Sequence, residues 1–337
     1  MPRLRGARDC GENAMSLQAM LVRLFMRLTV KRKIHKAEEL APAKVRATIE
    51  KMSARTRGKW PDMVKVEPVA VNGVKAYWIS TPNSEADKVY YYLHGGGYVF
   101  GSPDTTHLDL LWRLAHASKA RVFAIDYRKA PENPYPAALD DAVAGYEFLL
   151  AAGILPQSIA IGGDSAGGGL TMATLLRLKD EGKDLPSCAT LLSPWTDLAA
   201  TGTTLVSNLK TDMMIPGDMI GEVAKFYSGE LDVYTPYISP LYGDHRGLPP
   251  IYIQVSSSEV LLDDSLRLEK KLNEAGVPVV VDEWRGMAHV WQAIGAILPE
   301  ARIAIGDLGK FVRGHMRGQP RLIEAPSVKP AAIEAAE

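Results

Sequence analysis

The sequence predicts an α/β architecture, a mainly parallel sheet covered by helices on both faces, on three observations. Strand-like apolar runs recur at 89–93, 122–126, 159–162, 189–193, 251–255 and 279–283. Candidate helices lie between them at about 106–118, 137–151, 167–181 and 264–275, and this alternation builds a parallel sheet. Two Gly-rich motifs each follow a strand-like run directly.

Along the chain, residues 1–15 form a polar leader without the apolar core of a signal peptide, read as disordered, and Met1 and Met15 are both candidate starts. From Ser16, the residues Leu17, Met20, Leu21, Leu24, Phe25 and Leu28 recur at helical spacing, with Arg23, Arg27 and Lys31-Arg32-Lys33 elsewhere on the surface. This amphipathic helix has three readings: a lid over an active site, a helix packed on the body, or a membrane-surface anchor. Arg23 and Arg27 interrupt the apolar stretch well short of the ~20 residues of a bilayer span, so stable membrane insertion is not expected. We assign 16–60 to N-terminal lid helices. A catalytic unit over 61–318 begins with a hairpin, Val64–Val71 and Val74–Ser80, turning at Asn72-Gly73. The stretch 198–237, with a helix near 217–228, breaks the alternation and reads as a lid insertion above the sheet. Residues 319–337, rich in Pro and Ala, read as a flexible tail.

Composition removes several classes of function. The 39 basic and 39 acidic residues cancel, leaving no electrostatic footprint for nucleic acid or a polyanionic substrate. The expected partner is small and uncharged. Two cysteines, Cys10 and Cys188, make no disulfide framework and fit a reducing cytoplasm. The seven histidines form no metal-ligand pattern, so no metal is expected.

The chemistry is carried by His94-Gly95-Gly96-Gly97 and by Gly163-Asp164-Ser165-Ala166-Gly167. A serine hydroxyl becomes a nucleophile when a base removes its proton and donors stabilise the oxyanion it creates. Ile159–Gly162 before Ser165 and Leu170–Leu176 after it supply the strand and helix of a nucleophile elbow, with Ser165 at its apex. A phosphate-binding turn is disfavoured, because no Walker lysine follows and Asp164 would repel an anion. Gly95 and Gly96 are the expected backbone donors of the first loop, joined by the N–H of Ala166. His94 reads as a brace for that loop. The base should lie late in the chain, and His289, beyond the run 279–284, fits where His315 does not. The acid should follow the run 251–255, where Glu259, Asp263 and Asp264 are candidates. Glu259 is favoured as nearest the strand end, Asp263 or Asp264 being natural caps for the helix that starts there. Tyr98, Trp195, Met213, Met214, Phe226, Val290 and Trp291, with Asp164 beside the nucleophile, are candidates for the substrate pocket.

From about Tyr90 to His289 the chain resembles the hormone-sensitive-lipase-like branch of the α/β-hydrolases, on its HGGG and GDSAG motifs and on the blocks Asp126–Glu132, Tyr135–Asp141, Ser193–Asp197 and Ile238–Tyr242. The resemblance implies an eight-stranded sheet, a lid of N-terminal helices and an insertion, Ser165 as nucleophile, short or medium acyl esters as substrates, no cofactor, and possible dimerisation through the last strand. It departs from the family at Glu259-Val260-Leu261, where an Asp-Pro-Leu sequence is usual; a glutamate would take the acid's part. Lactones, amides and carbamates are alternative substrates for the same machinery, and a non-catalytic receptor on the same scaffold is the alternative from another class. The Tyr127, Arg128, Glu132, Asp140 and Asp141 block reads as a lock beneath the site.

Overall fold

The computed structural model describes residues 15–34, 42–56 and 61–318. Apart from Met15, the expected leader and tail lie outside them. Eight strands, β1 (Lys65–Val71), β2 (Val74–Ser80), β3 (Glu85–Leu93), β4 (Ala120–Ile125), β5 (Ile159–Asp164), β6 (Cys188–Leu192), β7 (Ile251–Ser256) and β8 (Val279–Trp284), form one sheet in the order β1-β2-β4-β3-β5-β6-β7-β8. Pairing is antiparallel for β1–β2 and β2–β4 and parallel from β4 to β8.

The helices are α1 (Leu17–Ile34), α2 (Pro42–Thr56), α3 (Leu108–Ser118), α4 (Ala137–Ala151), α5 (Ala166–Asp180), the short α6 (Thr204–Ser207), α7 (Ile220–Ser228), α8 (Leu262–Glu274) and α9 (Pro299–His315). Alternation along β3 separates the two cores. Tyr91 and Leu93 pack with Leu139 of α4, Leu170 and Leu175 of α5 and Leu268 of α8. Tyr90 and Tyr92 pack on the other face with Leu110 and Leu114 of α3 and Leu308 and Val312 of α9. Burial on both faces explains why the central strands read as continuous apolar runs.

At the hairpin, Asn72 (φ 48°) and Gly73 (φ 85°) both take positive φ and pair Val71 with Val74, as a primed two-residue turn demands. On α1 the apolar stripe faces outward. Leu17, Met20, Leu21, Leu24, Phe25 and Leu28 are each at least half exposed, while Ala19 and Met26 are buried. Arg23 turns inward and donates to the Gly286 carbonyl at 3.4 Å. The helix thus lays Ala19 and Met26 on the body and leaves its leucines outside. Among the described residues no helix is long and apolar enough to cross a membrane.

No atom would lie within 4 Å of a Cβ at Gly73, so its φ alone sets the cost of a side chain. Gly73→Ala should lower stability by about 1 kcal/mol in urea unfolding and leave activity unchanged.

Candidate active site

The register of the parallel strands brings four chain segments to one edge. Ser165 follows β5 and donates its N–H to Leu192 O at 2.8 Å; Ser193, after β6, donates to Gln254 O of β7 at 2.7 Å; Ser257, after β7, donates to Trp284 O of β8 at 2.9 Å. Ser165, Ser193, Glu259 and His289 therefore rise from the carboxyl ends of adjacent strands, where open α/β sheets bind ligands.

Ser165 has φ 52° and ψ −123°, a conformation rarely held by a residue with a side chain. The flanking glycines make that turn possible, because a Cβ on Gly163 or on Gly167 would lie under 2.5 Å from the Leu93 carbonyl oxygen. Strand β3 and helix α5 thus approach closer than any other residue allows, and Ser165 stands proud at the N-terminus of α5.

His289 is buried, with Nδ1 2.6 Å from Glu259 Oε2. The other carboxylate oxygen, Oε1, accepts from Ser193 Oγ at 2.8 Å and from the Ser256 N–H at 2.9 Å. With its acceptor so fixed, Nδ1 carries the ring proton and Nε2 its lone pair. Ser256 Oγ donates to Met287 O at 2.8 Å and ties the histidine loop to β7. Burial alone would lower the His289 pKa, but the charge and hydrogen bond of Glu259, aided by Asp212 and Asp164, raise it above 6.5. Burial in turn pushes the Glu259 carboxyl up, against the pull of His289 and Ser193. The extra methylene of glutamate is taken up by the turn that returns the Glu259 N–H to Ser256 O at 3.2 Å.

Neither alternative acid reaches the histidine, and neither caps α8 as expected, for no side chain caps that helix. Asp263 Oδ2 accepts from the N–H and hydroxyl of Thr203, both at 2.6 Å, at the start of α6. Asp264 Oδ2 accepts from the N–H groups of Thr196 and Asp197 at 2.7 and 2.9 Å. Both carboxylates hold the segment after β6, and Asp264 Oδ1 also accepts from Arg267 of α8 at 3.3 Å.

The glycine loop corrects two expectations. The Gly95 N–H points at Asp164 Oδ1, 3.0 Å away, and is unavailable to an oxyanion. Among the described residues the N–H groups of Gly96 and Gly97 meet no protein acceptor. Asp164 is likewise not a pocket residue: it is buried, accepts from Tyr92 Oη at 2.9 Å, and lies 3.1 Å from His107 Nε2. Burial opposes its charge, but His107 and Tyr92 outweigh burial and hold its carboxyl below the usual range. His94 braces the loop as expected. Its Nδ1 donates to Gly95 O at 2.8 Å, its ring stacks on Tyr127 at 4.2 Å, and Tyr127 Oη donates back to His94 O at 2.7 Å. Arg128 grips Asp141, and Glu132 receives Arg46 of α2.

The other pocket candidates scatter. Trp291 is fully buried 5.6 Å from Trp284, among Leu298, Ala301 and Ala304, and belongs to the core. Tyr98 stacks on Tyr227 of α7 at 3.7 Å, and Trp195 donates to Asp197 O at 3.2 Å; both are buried. Phe226 is exposed on α7. Met213 and Met214 pack with Ala288 next to the histidine, and Val290 (φ 51°) donates its N–H to Ser193 Oγ at 3.4 Å. Sequence reasoning missed Ser193, Gly97 and Asp212, whose carboxylate accepts from Met214, Ile215 and Val260 N–H. Gly97 stood inside the glycine motif and Ser193 opened a block shared with the family, while Asp212 carried no signal.

The sequence matches the α/β-hydrolase-fold family over residues 90–293, more than half of the chain. It is 42% identical over 245 residues to an acetyl-hydrolase of Streptomyces hygroscopicus, covering 73% of this chain and 81% of that protein. The crystal structure of an esterase from the bacterial hormone-sensitive lipase family aligns with a TM-score of 0.84 at 39% identity, over 90% of this chain and all of that one. That of EstE5 soaked with p-nitrophenyl butyrate aligns with a TM-score of 0.84 at 38% identity, over 89% and 99% of the two chains. The chain belongs to the α/β-hydrolase-fold family, in its hormone-sensitive-lipase-like branch. It is a serine carboxylesterase.

Burial, with the Asp197 carboxylate beside it, pushes Asp264 up to about 7. The folded protein therefore keeps a proton that the unfolded chain releases above about pH 4, and the stability it supplies is lost as pH rises towards 7. Asp264→Asn keeps an acceptor for both N–H groups, so its melting temperature should lack that part of the fall seen in the wild type over this range.

Proposed function

We propose that Ser165, His289 and Glu259 form a catalytic triad that hydrolyses short to medium acyl esters through an acyl-enzyme. The observation carrying this reading is the 2.6 Å contact of His289 Nδ1 with Glu259, which leaves Nε2 basic at the strand edge from which Ser165 rises. Nε2 takes the Ser165 hydroxyl proton as Oγ attacks the ester carbonyl carbon. The oxyanion is held by the N–H groups of Gly96, Gly97 and Ala166, fixed in place before the charge develops. Collapse of the intermediate breaks the bond to the alcohol oxygen, which receives the proton from His289. Water, deprotonated by the same nitrogen, then attacks the acyl-enzyme and frees acid and serine.

Glu259 works as an orienter and counter-charge. Its two oxygens are committed to His289, Ser193 and Ser256, so it stabilises the imidazolium without taking the proton. Met213, Met214 and Val290, beside the histidine, are the pocket walls we propose, with α1, α2 and the 198–237 insertion as the lid above. Small acyl groups are favoured by the likeness to the acetyl-hydrolase and to EstE5, the latter soaked with a butyrate ester.

Hydrolysis of p-nitrophenyl esters from acetate to palmitate tests the reading. Activity should peak on short chains and fall at least about 10⁴-fold in Ser165→Ala. Glu259→Gln should lose on the order of 10³- to 10⁴-fold, while Asp263→Asn stays near wild type. Equal losses in the two acid variants would refute the assignment. Because the base must be neutral and its pKa is raised, kcat/KM should rise with pH through a midpoint above 6.5.

A further inference from the structure

We propose that the outward face of α1 is a docking surface for an anionic lipid bilayer. Leu17, Leu21, Leu24 and Leu28 repeat at i, i+4, i+7 and i+11, flanked by Met20 and Phe25, and all six are at least half exposed. The stripe runs about 16 Å along the helix, so α1 would lie flat in the interface with its leucines among the acyl chains.

Charge selects the partner. The eighteen residues of α1 include Arg23, Arg27, Lys31, Arg32 and Lys33 and no acid, in a chain whose 39 basic and 39 acidic residues cancel as a whole. A cationic, leucine-rich helix matches a surface that is apolar within and negative at its headgroups. A second copy of this chain matches less well, since pairing α1 with α1 would bring two cationic helices together.

The inner side of α1 is already held. Ser16 donates its N–H and Oγ to Glu300 at 2.8 and 3.0 Å, Arg23 reaches Gly286 O, and Met26 packs with Met213 and Ala288. The helix can therefore use its apolar face without leaving the body. Because Gly286 and Ala288 belong to the loop carrying His289, a docked α1 sets the catalytic edge beside the lipid surface. The inference does not depend on the ester-hydrolase reading, and its assay reads binding alone.

Cosedimentation of the full chain with phosphatidylcholine vesicles containing about a third phosphatidylglycerol, against phosphatidylcholine alone, tests it. The wild type and Ser165→Ala should both sediment with the anionic vesicles and be released by salt. The double variant Leu21→Glu, Leu24→Glu should partition about tenfold less or weaker still. Arg27→Glu should reduce partition on anionic vesicles only, and it carries the test alone should the double variant misfold. Both variants should keep the wild-type melting temperature, since all three side chains face outward. Wild type left in the supernatant, or partition unchanged in the folded double variant or in Arg27→Glu, would overturn the proposal. So would a wild-type dimer that the double variant converts to monomer, which would assign this face to a second copy.

Discussion

Asp164 stands immediately before Ser165, the proposed nucleophile, and its buried carboxylate accepts from the Gly95 backbone and from Tyr92 Oη while lying against His107. Through that one group the elbow after β5 and the glycine loop after β3 become a single rigid body. The space between them is too small for a side chain, for a Cβ at Gly95 would come within 2.2 Å of the Asp164 carboxylate. Holding Gly95 inward turns the next two N–H groups out. On the proposed reading the oxyanion site exists before substrate arrives, and no backbone reorganisation is needed as charge develops.

The acid side of the site is built with the same economy of partners. Ser193 bridges Glu259 Oε1 and the Val290 N–H, so one hydroxyl fixes the carboxylate and the residue following His289. Glu259 stands where relatives usually carry an aspartate, and the Ser256 N–H takes up its added reach by gripping the oxygen that the histidine does not use. What must be constant at this position is an oriented carboxylate oxygen near Nδ1, and the backbone supplying it can vary.

The sequence made the sheet legible because strands buried on both faces leave unbroken apolar runs, and Asn72-Gly73 announced its hairpin through a backbone requirement that few residues meet. Ser165 was legible for the same reason, its glycines being imposed by close approach. His289 and Glu259 followed from chain order and from nearness to strand ends. What stayed hidden depends on direction. That Gly95 faces Asp164 while Gly96 and Gly97 face outward follows from the path of the loop and not from residue type. Asp263 and Asp264 have the composition of helix caps but accept from N–H groups of the segment after β6. The periodicity of α1 revealed an apolar side without saying which side the body would cover, and Trp291 looked like a pocket wall until Trp284 and α9 enclosed it.

Asp212 accepts from Met214 and Ile215 on one oxygen and from Val260, the residue after the acid, on the other. The segment bearing two proposed pocket methionines and the turn bearing Glu259 are thus fastened to one carboxylate. Widening the pocket by moving that segment would drag on the residue that orients the base, so substrate range on this side is mechanically coupled to catalytic rate. Side-chain size at 213 and 214, with the backbone left where it is, is the freer route by which this scaffold can change the acyl groups it accepts.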